Sequence, residues 1–231
     1  MPISPDYYPP FDPKELPANP SPRMQRALEA LYRASVEVHR TLYRLALLHE
    51  ITRNRSFIER VSNTPVAYPM LTVRSGLTYS VVMSLCAVFD TSDTSASLRR
   101  ILKTLADRRE EQNLHQLHDL ANTGIDAAGA ILRIRRLQRR LNNGEIGNAV
   151  ERLRNLRNQH LAHFDLNPQV SGGGSQMTDI DRAFVFAANV VNTATVTAVK
   201  RLLFTRQSYE DARKQARDFT AALIGSEPYP K

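Results

Sequence analysis

The chain has 231 residues and a formal net charge of +8, and 42% of its residues are hydrophobic. These values exclude a largely disordered chain and fit one globular domain, whose basic charge suits a polyanionic partner such as RNA. The single cysteine, Cys86, excludes an internal disulfide framework and favours a reducing compartment, so we expect a cytoplasmic protein with Cys86 in its core.

The N-terminal 22 residues contain eight of the thirteen prolines. Proline disfavours helix, so residues 1–22 are predicted to form an extended arm and residues 23–231 a single helical domain. Ser21-Pro22 offers an N-cap followed by proline at the first helical position. Apolar residues at steps of three and four then predict a helix from Arg23 to about Thr52.

The next part of the chain contains its most apolar stretch. A short helix is predicted at Ser56–Val61, before a break at Asn63-Thr64-Pro65. Val66–Phe89 is predicted to be a largely buried core helix. Its most apolar part, Leu77–Phe89, is too short to span a bilayer, so no membrane partner is expected. After a polar loop from Asp90 to Ser95, an amphipathic helix is predicted at Ser97–Leu105, fraying near Glu110–Asn113.

The second half of the chain is predicted to form four further helices, with a stop at Asn142-Asn143-Gly144 and a flexible loop at Ser171–Ser175. Thr178-Asp179-Ile180-Asp181 would cap the third helix. The predicted ranges are Ile125–Leu141, Glu145–Asp165, Arg182–Thr205 and Tyr209–Ile224. Since no pair of strands is evident, the predicted fold class is all-α: an antiparallel helical bundle with extra C-terminal helices and the proline-rich arm.

Arginines are concentrated on the two helices around Asn142-Asn143-Gly144. If these helices form an antiparallel hairpin, their arginines can share one surface that neutralises phosphates, and RNA binding would weaken steeply with salt. The alternative is a solvated face making ion pairs of little energetic value. The candidate RNA-binding residues are Arg133, Arg136, Arg140 and Arg154.

One segment suggests chemistry, Arg157-Asn158-Gln159-His160-Leu161-Ala162-His163-Phe164-Asp165. An Arg followed after four to six residues by a His also occurs elsewhere in this arginine-rich chain, so the bare pattern does not discriminate. The other matches are Arg33 with His39, Arg44 with His49, Arg109 with His115, and Arg154 with His160. With Leu85–Asp90 and Ser97–Leu102, the wider segment resembles the abortive-infection branch of the HEPN superfamily (higher eukaryotes and prokaryotes nucleotide-binding domains). The resemblance covers the chain from roughly Thr64 to Asp165.

This resemblance implies a HEPN-like bundle and a metal-independent endoribonuclease of toxin or phage-defence type, without a cofactor. Cleavage by the ribose 2′-OH would leave a 2′,3′-cyclic phosphate. The expected partners are RNA, an antitoxin or a nucleotide, and a second copy, because the family's site is commonly built across a dimer. His163 would transfer protons, Arg157 would hold the phosphate and Asn158 would orient it. Asp165 and His160 would support them.

A non-catalytic interpretation remains open. On an ideal helix, Arg157 and His163 point about 120° apart, so one helix alone does not bring them together. Arg157 can instead pair with a carboxylate, and His163 can cap the helix end. The protein would then be a HEPN-like module that binds a nucleotide, RNA or a partner protein. The spacing of His160 and His163 permits a metal pair, but no third ligand cluster accompanies it, so no metal is expected.

Overall fold

A computed structural model describes residues 20–62, 64–92, 97–115, 127–142, 144–162, 173–199, 202–223 and 225. Every regular element among these residues is helical, so the all-α prediction is confirmed. The helices are α1 (Pro22–Arg53), α2 (Arg55–Ser62), α3 (Ala67–Val88), α4 (Leu98–Leu105), a 3-10 turn (Arg108–Glu110) leading into α5 (residues 111–115), α6 (Ala127–Asn142), α7 (Glu145–Ala162), α8 (Gly173–Val199) and α9 (Arg206–Leu223). The predicted arm lies outside the described residues over 1–19.

The first helix begins where the sequence predicts and forms the centre of the bundle. Ser21 Oγ accepts a hydrogen bond from Met24 N at 3.1 Å, with Pro22 in the first turn. The same hydroxyl donates to Glu110 Oε2 at 2.9 Å, which ties the start of α1 to the 3-10 turn. Apolar residues along one side of α1 are buried, and the helix packs against α3, α4, α8 and α9.

The remaining helices enclose a core shared by α3, α6, α7 and α8. The most buried side chains include Phe89 and Phe184. One amide fixes the connection between α8 and α9: Asn192 Oδ1 accepts from the backbone N–H groups of Leu203 and Phe204, and Asn192 Nδ2 donates to the Phe204 carbonyl. Helix α7 contacts α3, α6 and α8.

The prediction that α3 is largely buried is wrong for its first half. The C-terminal half is buried, Cys86 included, but Tyr68 is 80% exposed and Leu71 is 57% exposed. A helix with an apolar sequence is buried only where a neighbour covers it, and among residues 68–76 of α3 only Met70 is buried. By length and composition alone α3 could cross a membrane, a test that core helices of bundle proteins also pass.

Two further predictions are corrected around α5 and α8. The fraying expected near Glu110–Asn113 is replaced by the 3-10 turn and α5, because the buried Glu110 carboxylate accepts hydrogen bonds from Ser21 and Asn113. Helix α8 begins at Gly173 rather than at Arg182, and it ends at Val199 rather than at Thr205. The aspartates of the predicted cap lie inside α8 because their carboxylates bind cations on other helices.

Candidate functional site

The side chains of α7 divide into a buried apolar side and a polar side. Ile146, Val150, Leu153 and Leu156 are buried against the neighbouring helices. The helical period then leaves Arg157 half-buried and Asn158 exposed. These two predicted site residues therefore lie at the surface, on the last described turns of α7.

Arg157 and Asn158 bind each other. The guanidinium donates from Nε and Nη2 to Asn158 Oδ1 at 3.1 and 3.0 Å. In the described part of the chain, no carboxylate pairs with Arg157, so the alternative of a structural ion pair finds no partner there. The amide oxygen occupies the guanidinium edge that binds a phosphate in bidentate fashion. A charged phosphate is the stronger acceptor, so it can displace the neutral amide.

Arg154, predicted to bind RNA, makes internal contacts. Its Nη2 donates to the Phe89 carbonyl at 2.7 Å, and its Nη1 lies 3.4 Å from Glu151 Oε2. Only 19% of the Arg154 side chain is exposed. Carbonyl groups at the C-terminal end of a helix lack intrahelical partners, and this guanidinium satisfies the one that follows α3.

Cys86 lies buried close to these arginines. Burial raises the pKa of the Cys86 thiol, and the positive charges of Arg157 and Arg154 partly oppose that effect. A buried thiol with a raised pKa is a poor nucleophile, so Cys86 is a core residue, as predicted.

Arg152, five residues before Arg157 on α7, is also structural. It binds Asp179 of α8 through two hydrogen bonds, Nε to Oδ2 at 2.6 Å and Nη2 to Oδ1 at 2.7 Å. The Asp179 hydrogen bond raises the pKa of Arg152. The Asp179 side chain is only 6% exposed, so this pair fixes α7 against α8.

Several competing Arg-to-His pairs also make internal contacts. His39 contacts the rings of Tyr43 and Phe204, and burial lowers the pKa of His39. Arg44 donates to Glu37 and Ser84, and His49 lies 2.8 Å from Asp181. These internal contacts distinguish Arg44 and Arg154 from Arg157, whereas the Arg-to-His spacing alone does not.

The other predicted RNA-binding residues lie on α6. Arg133, Arg136 and Arg140 are exposed, and the Arg140 guanidinium lies 5.8 Å from the centre of the Phe186 ring. Helix α6 packs against α7 across the turn at Gly144, whose φ of 120° favours glycine. The structure thus brings the two arginine-rich helices together. That their arginines share one RNA-binding surface stays a prediction.

The remaining candidates are only partly described. His163 and Asp165 lie outside the described residues, and His160 lies in α7 but its side chain is not described. The described part of the motif therefore comprises Arg157 and Asn158.

The prediction missed Arg99 of α4. Burial lowers the pKa of Arg99, the positive charge of Arg154 lowers it further, and Glu151 acts in the opposite direction. The Arg99 Nη1 donates to Asn142 Oδ1 at 3.3 Å. The Ser97–Leu102 string that supports the resemblance contains Arg99, but the sequence alone does not show its proximity to α7.

Comparison with known proteins extends this picture. A family model described as AbiU2, of the HEPN type, matches residues 23–218. Searches of curated proteins and of solved structures found no match. The matched range covers most of the chain, including α1 to α8 and the Arg157–His163 segment. The chain therefore belongs to the AbiU2 family, an abortive-infection-like branch of the HEPN superfamily.

Proposed function

We propose that this protein is a metal-independent endoribonuclease of toxin or phage-defence type, with its catalytic site at the end of α7. The observation that carries the proposal is the surface pair of Arg157 and Asn158, 3.0–3.1 Å apart. The preceding arginines of the same helix bind structural acceptors instead. Membership of an abortive-infection family supports a role in defence.

The proposed reaction is an intramolecular transesterification. A base removes the proton of the ribose 2′-OH, and the 2′ oxygen attacks the adjacent phosphorus. The bond from phosphorus to the 5′ oxygen breaks, and an acid protonates that oxygen. The products are a 2′,3′-cyclic phosphate and a 5′-hydroxyl.

The residues of the motif are assigned to these steps. His163 transfers protons, because an imidazole titrates near neutral pH. Arg157 binds the non-bridging phosphate oxygens and stabilises the charge that develops on them, and Asn158 orients them. Asp165 and His160 support His163. Arg133, Arg136 and Arg140 bind the flanking backbone, and an antitoxin would restrain cleavage in the cytoplasm.

The site would be completed by a second copy of the chain. The first half of α3 exposes Tyr68, Leu71 and Val73, and Arg74 is the only charged residue of the whole helix. Exposed apolar patches of this kind mark interaction surfaces. Helix α3 also packs against α7, so a dimer formed through α3 would involve a helix that contacts the proposed catalytic helix.

Light scattering after gel filtration tests the dimer. Wild type should have the mass of two chains, and Leu71→Glu the mass of one. Leu132→Glu is the matched control, because Leu132 of α6 is also 57% exposed. A wild type that is monomeric, or that instead floats with phospholipid vesicles, would contradict the dimer.

Cleavage is tested with labelled total RNA in excess EDTA, with the product ends mapped. Wild type should leave 2′,3′-cyclic phosphate ends, and His163→Ala should lose cleavage. The control is His115→Ala, since His115 ends another Arg-to-His match and is half-buried in α5. Salt-sensitive RNA or nucleotide binding by a folded dimer without turnover would favour the alternative, a non-catalytic HEPN-like binding module.

A further inference from the structure

We propose that the cavity between α1, α8 and α9 is a binding site for a small amphipathic acid, an apolar chain or ring that carries one anionic group. The cavity has a volume of about 790 Å³. Its lining residues lie in three segments, residues 42–54, 181–185 and 209–217, and the structure describes each segment without a gap. These helices do not carry the Arg157–His163 motif, and the proposal does not depend on RNA cleavage.

The inner part of the cavity is apolar. Leu42, Leu45 and Phe184 line it, and none of the three is more than 4% exposed. Val185 also belongs to the lining and is 60% exposed, so the apolar lining extends to the protein surface. An apolar ligand that covers this lining removes both its own surface and that of the protein from water.

An aromatic wall continues the apolar lining onto α9. The rings of Phe184 and Tyr209 meet edge to face, with their centres 6.3 Å apart. Burial raises the pKa of the Tyr209 phenol, so the ring carries no charge at neutral pH and does not repel an acid. The hydroxyl group of Tyr209 adds a hydrogen-bonding group beside an otherwise apolar surface.

The polar groups that α1 and α8 contribute to the lining bind one another. Asp181 lies 2.8 Å from His49 Nε2 and 2.9 Å from Arg53 Nη2, and Glu50 accepts a hydrogen bond from Asn54. Burial raises the pKa of Asp181, but the hydrogen bonds and charges of His49 and Arg53 outweigh it, so the net pKa lies below its ordinary value. This side of the cavity is therefore a preformed polar rim.

The polar groups that α9 contributes differ, because they have no such partners. Arg213 and Arg217 are exposed, and among the described residues neither guanidinium has a hydrogen-bond or ion-pair partner. Their spacing of four residues places them side by side on the helix, where like charges repel each other. The described lining contains three arginines and two carboxylates, so a positive charge is left over when His49 is neutral. An anion beside Arg213 and Arg217 would relieve this repulsion.

Size and polarity together define the ligand. Small-molecule sites have volumes of roughly 300–1,000 Å³, and they are mostly apolar with a few polar groups that fix the orientation of the ligand. This cavity matches that description, with its unpaired cations on α9 alone. A molecule with an apolar body and one anionic group complements both parts of the lining. A strongly hydrated anion would leave the apolar part uncovered.

Calorimetry on the full chain tests the site, with decanoate as the chain-like probe and anilinonaphthalene sulfonate as the ring-like probe. Wild type should bind at least one of them. Arg213→Gln and Arg217→Gln should each weaken that binding by about tenfold, because each removes a charge-assisted contact. Lys214→Gln is the matched control, since it removes the same charge from an exposed position of α9 outside the lining.

A second variant and two further probes separate the apolar from the charged part of the site. Val185→Glu should also weaken binding, because it places a carboxylate at an exposed position of the lining. Decanol, which lacks the charge, and AMP, which lacks the apolar chain, should both compete poorly with the bound acid. Melting temperatures near that of wild type would show that the variants fold.

Three results would overturn the proposal. They are binding of neither probe by wild type, affinities that are unchanged in Arg213→Gln and Arg217→Gln, and an equal loss in Lys214→Gln, which would indicate attraction by overall charge. A failure of the proposed nuclease is a different result. It would appear as an absence of RNA cleavage by wild type while binding that depends on Arg213 and Arg217 persists.

Discussion

Two neighbouring parts of α7 present the same residue type to different surroundings. In the middle of the helix, Arg152 binds the buried Asp179 through two hydrogen bonds, and Arg154 donates to the Phe89 carbonyl. Near the end, Arg157 binds only the amide of the adjacent Asn158 among the described residues. The first two arginines join α7 to other elements, whereas the third contacts its own neighbour.

This difference separates stabilisation from function on one helix. An arginine that satisfies a buried acceptor contributes to folding, because its removal leaves that acceptor without a partner. An arginine that binds a neutral, exposed amide contributes little to folding and can exchange that amide for a phosphate. Substitutions along α7 should therefore affect either stability or cleavage, but not both equally.

The largest expected effect comes from Arg157→Ala. Loss of the guanidinium should slow RNA cleavage by about 100-fold or more, because one preorganised donor to a developing oxyanion has an effect of that size. The melting temperature should stay close to that of wild type. Initial rates and thermal unfolding check both statements, with the exposed Arg60→Ala of α2 as the control. A large loss of stability in Arg157→Ala would mean that Arg157 stabilises the fold as Arg152 and Arg154 do.

Arg154→Ala should have the opposite profile. It leaves the Phe89 carbonyl at the end of α3 without this donor, and a buried unsatisfied group costs about 2 kcal/mol. The free energy of unfolding, measured with urea, should fall by about that amount. If stability is unchanged while RNA affinity falls strongly, Arg154 acts as an RNA contact rather than as a helix cap.

Removing Arg152 should destabilise the protein more than removing its partner Asp179. Arg152→Ala leaves the buried Asp179 carboxylate without its partner. Asp179→Ala leaves Arg152 without its partner, but the Arg152 side chain is 53% exposed and water can hydrate it. Thermal unfolding should therefore give a lower melting temperature for Arg152→Ala, on the order of 5 °C below wild type. Equal melting temperatures for the two variants would contradict the argument that burial of Asp179 makes the loss of Arg152 more costly.

The smallest effect is expected from the exposed arginines of α6. Each phosphate that Arg133, Arg136 or Arg140 neutralises adds about one to the log–log slope of RNA affinity against salt concentration. Replacing these arginines with Gln should therefore make the slope shallower by about that amount for each phosphate no longer neutralised. Binding titrations at several salt concentrations measure the slope, with Arg60→Gln and Lys214→Gln as controls. The same decrease in slope for the controls would mean that overall charge, rather than this surface, binds RNA.

The helices that could be predicted are those whose signals are local. Ser21-Pro22 and the apolar spacing that follows it mark α1, because a cap and a helical period are properties of adjacent residues. The start of α8 could not be predicted in this way. Asp179 and Asp181 resemble capping residues in sequence, but their carboxylates bind Arg152, His49 and Arg53 on other helices.

The site was predictable as a motif but not as an arrangement. The wider segment identified Arg157 and Asn158, yet the spacing of residues could not show that Arg154 is held by the Phe89 carbonyl. Likewise, the apolar run of α3 predicted burial throughout, although Tyr68 and Leu71 are exposed. Burial and pairing depend on residues that are distant in sequence, and for that reason Arg99 was missed.

The claim that Arg157 acts in cleavage and Arg152 in stability is tested most directly by comparing the rates of RNA cleavage by Arg157→Lys and Arg152→Lys. Both rates are measured below the melting temperatures of the two proteins. Each change keeps the charge and removes the planar, bidentate donor. We expect Arg157→Lys to be at least about tenfold slower than wild type, and Arg152→Lys to remain within about twofold of it. Equal slowing of the two variants, or slowing of Arg152→Lys alone, would contradict the assignment of catalysis to the end of α7.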